Sequence, residues 1–419
     1  MTDLINDERL RPMHHTGKSF YPYMGALVVI FLWGIYAYYV QLTMGLAATS
    51  LNDITIWGTY IVNFIFFSGI SLAGIGIATA VRILRLKDYE PLVRFAELFT
   101  VCGLIVAGLS VVIDLGRPDR SYLLIENYIK RVPSSTMIWD ITAVATYVIL
   151  SLTFLYIGMR GDLRYYMEHN SDWKKVMYGI MTPLYDPKEK PTGRRLSHLL
   201  SISILPVMVL FHTVLAWIFG VGSTRPLWFG SAAGPYFVSA AVASGTAAIL
   251  FLAYVLRELY DWGHIIKDKI FRGLGNFLSV SILVYMYFML SELMTTSYAA
   301  PTGETTVSQE WLFGSFAWIF WPMLILGMVI PTLWYLYQAL KPDYVNIKIS
   351  TVMSLLVIIA FWVKRYIIII PTLSIGAYEI YLPSWVEISI TLGSFALMIL
   401  VYSLFIKIFP MFELEEETE

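Results

Sequence analysis

Long apolar segments separated by short polar stretches form the pattern of this chain. Ten segments contain the ~20 mostly apolar residues that a helix needs to cross a membrane. Lipid offers the backbone no hydrogen-bond partner, and these segments are too long for barrel strands, so we expect all ten to be helices. The segments cover residues 23–47, 54–82, 91–115, 135–159, 197–220, 232–257, 272–297, 311–338, 348–371 and 385–409.

Composition and charge support a multi-pass membrane protein. Hydrophobic residues make up 58% of the 419 residues and charged residues only 14%, whereas soluble domains carry about 25% charged residues. With the N-terminus in the cytoplasm, the inside segments hold 22 Lys and Arg residues and the outside loops hold 5. This bias predicts that both termini lie in the cytoplasm. The net charge of −1 argues against nucleic acid as a partner.

Cysteine and histidine usage limits the metal chemistry of the chain. Cys102 is the single cysteine, so the chain can form neither an internal disulfide nor a thiolate-ligated iron–sulfur cluster, and it has no CxxCH haem motif. Only His212 lies deep in a predicted span, and no facing histidines for haem b are visible. We therefore expect no metal site, haem or iron–sulfur cluster in this chain, and any such centre would belong to a partner subunit.

A weak internal repeat relates the two halves of the chain. The second span places Ser-Gly at 68–69, eight residues after a tyrosine, and the sixth span does the same at 244–245. Small residues at these points allow helices to approach closely. Asp114 follows the first glycine by 45 residues and Glu292 follows the second by 47, each near an outer helix end. An even number of helices separates the copies, so the repeat is parallel, about an axis along the membrane normal.

The pattern thus predicts an all-α integral membrane protein with two four-helix bundles, made of helices 2–5 and 6–9, and with flanking helices 1 and 10. The predicted regions are a cytoplasmic N-terminal segment (1–22), the first helix with its outer loop (23–53), the first bundle (54–220), the second bundle (221–371), and the last helix with an acidic cytoplasmic tail (372–419).

Two aspartates near the outer boundary are the strongest candidates for chemistry. Asp114 ends the third predicted helix, and Asp140 lies about one turn into the fourth. A charged side chain within a membrane bundle is costly and marks a functional site by default. The simpler alternatives are that Asp140 caps its helix or pairs with Arg117, and that Asp114 pairs with Arg117 or Arg120.

Polar and aromatic residues at a similar depth complete a possible quinone pocket. A quinone ring needs a donor for each carbonyl, and quinol oxidation needs a proton acceptor, a role that a buried aspartate can take. Tyr60 and Asn63 are candidates to orient the ring, and Trp139 is a candidate wall of the pocket. Ser135 lies at the start of the same helix as Trp139. Taken alone, Tyr60 and Asn63 would be interpreted as packing residues.

Further ionisable residues form a possible proton path through the second bundle and the inner end. The candidates are His212, Glu292, Lys364, Arg365 and Glu97. Glu292 and Arg365 would form a neutralised pair that can relay protons. Equally open are a structural salt bridge with Lys364 reaching out to lipid phosphate, a hydrogen-bonded core histidine, and an ion pair between Glu97 and Arg94.

Several segments, in this order, resemble the NrfD/PsrC-type (polysulfide reductase-like) membrane subunits of respiratory complexes. The chain looks most like the ten-helix QrcD, DsrP and Hmc-type members, and it is less similar to alternative complex III subunits, which tend to carry a histidine where this chain has Asp114. The resemblance spans residues 55–371 and rests on IWGTYIVNFIFFSGISLAG, RFAELFTVCGLIVAG, DLGRPDR, SSTMIWD and FWVKRYIIIIPTL.

The resemblance implies a specific assembly. Such subunits bind menaquinone or another quinone in the first bundle near the outer face, and they contact a ferredoxin-like subunit with Fe–S clusters on that side. Their complexes also contain molybdopterin-family or multihaem cytochrome c subunits, and the resemblance implies a location in the bacterial cytoplasmic (inner) membrane. The functional positions carried over to this chain are Asp114, Arg117 and Asp140, with Tyr60 and Asn63 as neighbours of the head group.

The leading hypothesis is therefore a quinone-interacting anchor of a respiratory oxidoreductase, such as a menaquinone reductase or a quinol dehydrogenase, that is inactive alone; whether protons cross the membrane through it is left open. The competing hypothesis is a secondary transporter with a site in the second bundle, because repeats and midplane charges also occur in transporters. A third is a purely structural anchor.

Overall fold

Ten long helices dominate the structure. The structure is a computed structural model, which describes residues 7–169, 173–183, 190–221, 225–341, 344–374 and 380–413; the side chains of 190–194 are outside the description. Within these ranges ten helices are long and apolar enough to cross a membrane, which confirms the predicted number, and the described residues contain no strand. The chain is an integral, multi-pass membrane protein.

The ten helices are numbered in chain order. They are α1 (Phe20–Ala48), α2 (Thr59–Leu84), α3 (Lys87–Asp114), α4 (Thr136–His169), α5 (Arg195–Gly220), α6 (Ala233–Tyr260), α7 (Asp268–Ala299), α8 (Ala317–Ala339), α9 (Ile347–Ser374) and α10 (Trp385–Ile408). We call the end of the bundle where α2 begins and α3 ends the outer end, after the orientation that the charge bias predicts. Shorter helices in the connections include Tyr122–Glu126, Tyr128–Arg131, Lys174–Met181 and Thr302–Leu312.

The helices pack as two closed rings with a flanking pair. In the first ring, α2 contacts α3, α3 contacts α4, α4 contacts α5, and α5 returns to α2. In the second ring, the same order runs from α6 through α7 and α8 to α9, which returns to α6. Helices α1 and α10 pack on each other, and α10 also contacts α2 and α3. The flanking pair therefore covers one side of the first ring.

The two rings meet where α2 crosses α6. A Cβ atom added to Gly245 would lie 2.5 Å from the Cβ atom of Ala73 and 2.7 Å from the carbonyl oxygen of Ile70. A Cβ atom on Gly69 would lie 3.7 Å from Oγ of Ser244. The Ser-Gly pairs of the repeat thus face each other, and the absence of side chains on the glycines permits the close crossing.

A second glycine contact joins α1 to α10. A Cβ atom on Gly34 would lie 2.9 Å from the Cα atom of Gly393, so the two backbones touch. The indole Nε1 of Trp33 donates a 2.9 Å hydrogen bond to Oγ of Ser389 next to this contact. Both interactions hold the flanking pair together at mid-membrane.

Helix α8 is interrupted by one π-helical segment. Residues Ile325–Val329 are π-helical, with Pro322 before them and Pro331 after them. Prolines and π-helical segments both interrupt the regular hydrogen bonding of an α-helix. Within the segment, a Cβ atom on Gly327 would lie 2.1 Å from the Cβ atom of Ala360, so α8 and α9 approach closely here. The contact is at Ala360 of α9, about one helical turn before the buried cations Lys364 and Arg365.

The crossing of α2 and α6 makes a stability prediction. An alanine in a helix interior is normally more stable than glycine by roughly 0.5–1 kcal/mol. At Gly245 the added methyl group would instead meet Ala73 and Ile70, so Gly245→Ala should destabilise the protein by ~1–3 kcal/mol. The matched control is Gly108→Ala in α3, where the added atom meets nothing within 4 Å.

The measurement is the midpoint of thermal unfolding of the detergent-solubilised protein, followed by size-exclusion chromatography after heating. We expect a lower midpoint for Gly245→Ala and an unchanged or higher one for Gly108→Ala. Equal midpoints for the two variants would mean that the crossing tolerates a wider separation.

Candidate functional site

Each of the two outer aspartates has one buried oxygen atom that lacks a partner among the described residues. Asp114 is the last residue of α3 and is half-buried, whereas Asp140 lies in the second turn of α4 and is only 4% exposed. The Oδ1 atom of each is inaccessible and has no hydrogen-bond partner among the residues described. A buried, unpaired carboxylate is unfavourable when ionised, so each group has a reason to take up a proton or to bind a hydrogen-bond donor.

Arg117 does not neutralise either aspartate. Its Nε and Nη2 atoms donate to Oδ1 and Oδ2 of Asp119 at 3.0 and 2.9 Å, in the exposed outer loop. This bidentate hydrogen bonding from Arg117 lowers the pKa of Asp119. The predicted alternative, an ion pair of Arg117 with Asp114 or Asp140, is wrong because the loop carries a nearer carboxylate two residues away.

Tyr60 is held by a residue that was not predicted from the sequence. The hydroxyl of Tyr60 donates a 2.6 Å hydrogen bond to Oε1 of Gln41, and Nε2 of Gln41 donates to the carbonyl oxygen of Ile113 at 2.9 Å. Gln41 therefore ties α1 to the outer ends of α2 and α3. Tyr60 is also close enough to Asp114 to interact with it electrostatically. The signal for Gln41 in the sequence is its amide within an otherwise apolar span.

Asn63 has its polar atoms bonded to two other helices. Its Nδ2 donates to Oγ1 of Thr391 at 2.9 Å, and its Oδ1 accepts from Nε1 of Trp362 at 2.9 Å. Asn63 thus links α2 to both α9 and α10. A ligand could use this amide only by replacing one of those two bonds.

Glu387, also not predicted from the sequence, is the most fully bonded acid at the outer end. Its Oε2 accepts from the backbone N–H of Ser50 at 2.9 Å and of Ser384 at 3.0 Å, and its Oε1 accepts from the hydroxyl of Tyr381. Burial, together with this carboxylate, raises the pKa of Tyr381, so the hydroxyl stays protonated and donates. Ser384 and Glu387 form a capping box, and their S-x-x-E spacing was the available signal.

The outer polar residues therefore fall into separate groups. Asp114 interacts electrostatically with Glu387, and Tyr60 interacts with both, so these three residues form one cluster. Asp140 is not part of that cluster: its environment is defined by its burial away from water and not by an interaction with Asp114, Tyr60 or Glu387. Ser135 directly precedes α4, and the indole of Trp139 donates to the carbonyl oxygen of Val132. The hydrogen bonds of Asn63 and Arg117 within the described ranges go to residues other than these two aspartates.

Glu97 lies at the inner end and is paired across helices. It is fully buried, and its Oε1 accepts from Nη2 of Arg82 at 2.8 Å. Arg94, the partner that the sequence offered, instead pairs with Asp162 and donates to the carbonyl oxygen of Phe412 at 2.6 Å. The predicted ion pair of Glu97 with Arg94 is wrong, because Arg82 of α2 lies closer to Glu97, while Arg94 pairs with Asp162 of α4.

His212 connects α5 to α2 at mid-membrane. Its Nδ1 lies 3.0 Å from the carbonyl oxygen of Met208 and its Nε2 lies 2.9 Å from that of Ser68. Both neighbours are acceptors, and a neutral imidazole has only one N–H. One of the two contacts is therefore a hydrogen bond when the ring is neutral, and both are when it is protonated.

The two cations of α9 lie in different environments. Lys364 is 0% exposed, its Nζ is 4.3 Å from the centre of the Trp311 ring, and it interacts electrostatically with Glu292. The guanidinium carbon of Arg365 is 5.3 Å from the centre of the Phe237 ring. The predicted pairing of Glu292 with Arg365 is wrong: the cation that interacts electrostatically with Glu292 is Lys364, whose Nζ has no hydrogen-bond partner among the described residues. Lys364 does not reach lipid phosphate, because α8 and Trp311 enclose it.

Ten spanning helices packed in two rings define a helical, multi-pass membrane protein. In the described ranges no group of three or more His, Cys, Asp or Glu residues is arranged to hold a metal ion. Comparison with known families identifies the class: the chain belongs to the NrfD family, whose model, described as polysulphide reductase, NrfD, matches residues 48–376. The resemblance inferred from the sequence is confirmed.

Three curated relatives have modest identity over much of the chain. A putative membrane subunit of dimethyl sulfoxide reductase from Halobacterium salinarum is 27% identical over 74% of this chain and 68% of its own. A selenate reductase subunit from Mesobacillus selenatarsenatis is 27% identical over 94% of this chain and 95% of its own. The integral membrane subunit of menaquinone reductase from Nitratidesulfovibrio vulgaris is 23% identical over 96% and 94%.

The bonding of these residues predicts that the outer polar groups differ in their effect on stability. Asn63→Leu should lower the midpoint of thermal unfolding, because it removes the hydrogen bonds to the half-buried Trp362 and Thr391, each of which contributes about 1 kcal/mol. Asp140→Asn should leave the midpoint unchanged or raise it, because the Oδ1 atom of the carboxylate has no partner to lose. A large loss of stability in Asp140→Asn would show that this carboxylate has a bonded structural role.

Proposed function

We propose that this chain is the quinone-interacting membrane subunit of a multi-subunit respiratory oxidoreductase complex. Its family and the relatives named as reductase subunits support a role as a membrane anchor of such a complex. The observation that carries the quinone part is the pair of carboxylates Asp114 and Asp140 at the outer end of the first ring, whose buried Oδ1 atoms have no hydrogen-bond partner among the described residues. The name of the menaquinone reductase relative supports menaquinone as the quinone.

In the proposed reaction the quinone is a substrate that binds beside Asp140. Oxidation of a quinol releases two protons and two electrons. Asp140 is the proposed base for a proton from a quinol hydroxyl. Its Oδ1 atom is inaccessible to water and has no hydrogen bond within the described part of the chain. Asp114, next to Tyr60 and Glu387, is the proposed second acceptor. Quinone reduction would use the same groups as donors.

The electrons need a partner, since a chain with one cysteine offers no ligand set for an iron–sulfur cluster. We place a ferredoxin-like Fe–S subunit at the outer end, with molybdopterin-family or multihaem cytochrome c subunits beyond it. The exposed outer loop suits such docking: Arg120, Lys130 and Arg131 offer positive charge beside the exposed apolar side chains of Ile125 and Ile129. We place the complex in the bacterial inner membrane, with both termini cytoplasmic.

The transporter alternative fits the structure less well. Transporter sites form where a matching pair of helices is broken in the two halves of a repeat. Helix α8 has its π-helical segment Ile325–Val329, but α4, its counterpart in the first ring, is continuously α-helical from Thr136 to His169. The proposed proton exchange takes place at the outer end, so it requires no path across the membrane through His212 or Glu97.

The test of this proposal is the substitution Asp140→Asn in the intact complex. We expect quinol-linked turnover to fall by roughly 10²–10⁴-fold, the contribution of a general base, while the subunits still assemble. The measurement is reduction of the partner's Fe–S or haem centre after addition of a menaquinol analogue. Asp53→Asn is the control, because Asp53 is an exposed carboxylate of the same outer surface.

Full turnover in Asp140→Asn would remove Asp140 from the mechanism. A purified chain with no metal-bearing partner and no response to quinol would contradict the proposal as a whole and favour the transporter alternative.

A further inference from the structure

A cavity of about 290 Å³ lies at the outer end of the second ring, away from Asp114 and Asp140. It is enclosed by the outer ends of α5, α6 and α7 and by the connecting helix Thr302–Leu312. Aromatic side chains form much of its wall, among them Trp228, Phe237 and Trp311, and its acidic residues are Glu292 and Glu304. The volume lies near the ~300 Å³ lower end of small-molecule pockets, so it accommodates a ring but not a long tail.

Two buried donors on the wall lack partners. The Nε1 atom of Trp311, which is 1% exposed, has no hydrogen bond to any described residue. The hydroxyl of Tyr236, 7% exposed, stacks with its ring on Tyr285 at 4.9 Å but has no hydrogen bond of good geometry there. Buried polar groups are almost always satisfied, so each unpaired donor indicates a bound molecule or water.

The carboxylates supply the complementary chemistry. Glu292 interacts electrostatically with Glu304 on one side and with Lys364 on the other. Lys364 lies behind the Trp311 ring, where it compensates one of the two negative charges. Hydrogen-bond donors, a proton acceptor and flat aromatic walls therefore line the same cavity.

The internal repeat relates this cavity to the first ring. Tyr60 and Asp114 occupy matching positions to Tyr236 and Glu292, and in both rings the tyrosine interacts electrostatically with the carboxylate. The copies differ in their covering. Gln41 of the flanking helix α1 accepts a hydrogen bond from the hydroxyl of Tyr60, whereas Tyr236 lines the cavity and its buried hydroxyl has no hydrogen-bond partner among the described residues.

We propose that this cavity is a second binding site, for the ring of a quinone or quinol, within the same chain. The ring stacks among the aromatic walls, its oxygen atoms accept hydrogen bonds from Tyr236 and Trp311, and a quinol hydroxyl donates to Glu292. An acyl chain would leave those polar groups unpaired, so the donors favour a ring with oxygen substituents over a lipid tail. The inference rests on the proposed function, because it assigns the same class of substrate to a second place.

The experiment counts binding sites in the purified intact complex. The probe is 2-heptyl-4-hydroxyquinoline N-oxide, a quinol analogue whose fluorescence is quenched on binding. We expect two molecules bound per chain in the wild type, one of them lost in Ser291→Trp, which fills the cavity from α7. Leu290→Trp is the matched control, since Leu290 is the preceding residue on α7, is exposed, and does not line the cavity.

A milder variant guards against misfolding. Glu292→Gln keeps the shape of the side chain and should weaken binding at the second site at least tenfold, with the first site unchanged. Asp140→Asn should affect only the first site.

The outcomes separate this inference from the proposed function. One bound molecule that is lost in Asp140→Asn and kept in Ser291→Trp would overturn the second site and leave the proposed function standing. One bound molecule that is lost in Ser291→Trp and kept in Asp140→Asn would support the second site and move the quinone chemistry away from Asp140. No bound probe at all would overturn both.

Discussion

Where α2 crosses α6, Gly245 lies so close to Ile70 and Ala73 that only a hydrogen atom fits between the helices. Within lipid, apolar surface gives helices little reason to associate, so close packing and internal hydrogen bonds must hold the two rings together. The crossing also sets what lies beside it: Nη2 of Arg365 is 3.5 Å from the position that a Cβ atom of Gly69 would take. A wider crossing would move Arg365 of α9 away from α2 of the first ring.

With the helices fixed in this way, the buried polar groups divide into two kinds. Gln41, Asn63 and Glu387 have bonded partners on other helices and act as links between them. Asp114 and Asp140 keep unpaired oxygen atoms at the same outer end, as far as the structure describes it. Stability alone would favour replacing an unpaired buried carboxylate, so groups of the second kind are the better candidates for chemistry.

The sequence was sufficient for the spans, because span length depends only on local hydropathy. The Ser-Gly pairs marked positions where helices can approach closely, but they did not identify α2 and α6 as the helices that cross there. The sequence was also insufficient for choosing partners, which depends on the rotation of each helix in the bundle. Glu97 had Arg94 within one turn, yet Arg82 on α2 faces it. Gln41 and Glu387 escaped notice because they belong to α1 and α10, which the repeat places outside both rings.

Those flanking helices explain how two copies of one repeat have diverged. In the first ring, α1 and α10 contribute Gln41 and Glu387, which hold Tyr60 and surround Asp114 with bonded polar groups. Among the described residues the second ring has no such pair beside Tyr236; the connecting helix Thr302–Leu312 covers its outer end and brings Trp311 and Glu304. The tyrosine hydroxyl is therefore bonded to a flanking helix in the first copy, whereas the tyrosine and the carboxylate border a cavity in the second. The two rings thus have the same order of helix contacts but are covered by different segments, α1 and α10 in one and the helix Thr302–Leu312 in the other. Different covering segments allow two similar rings to present different sites.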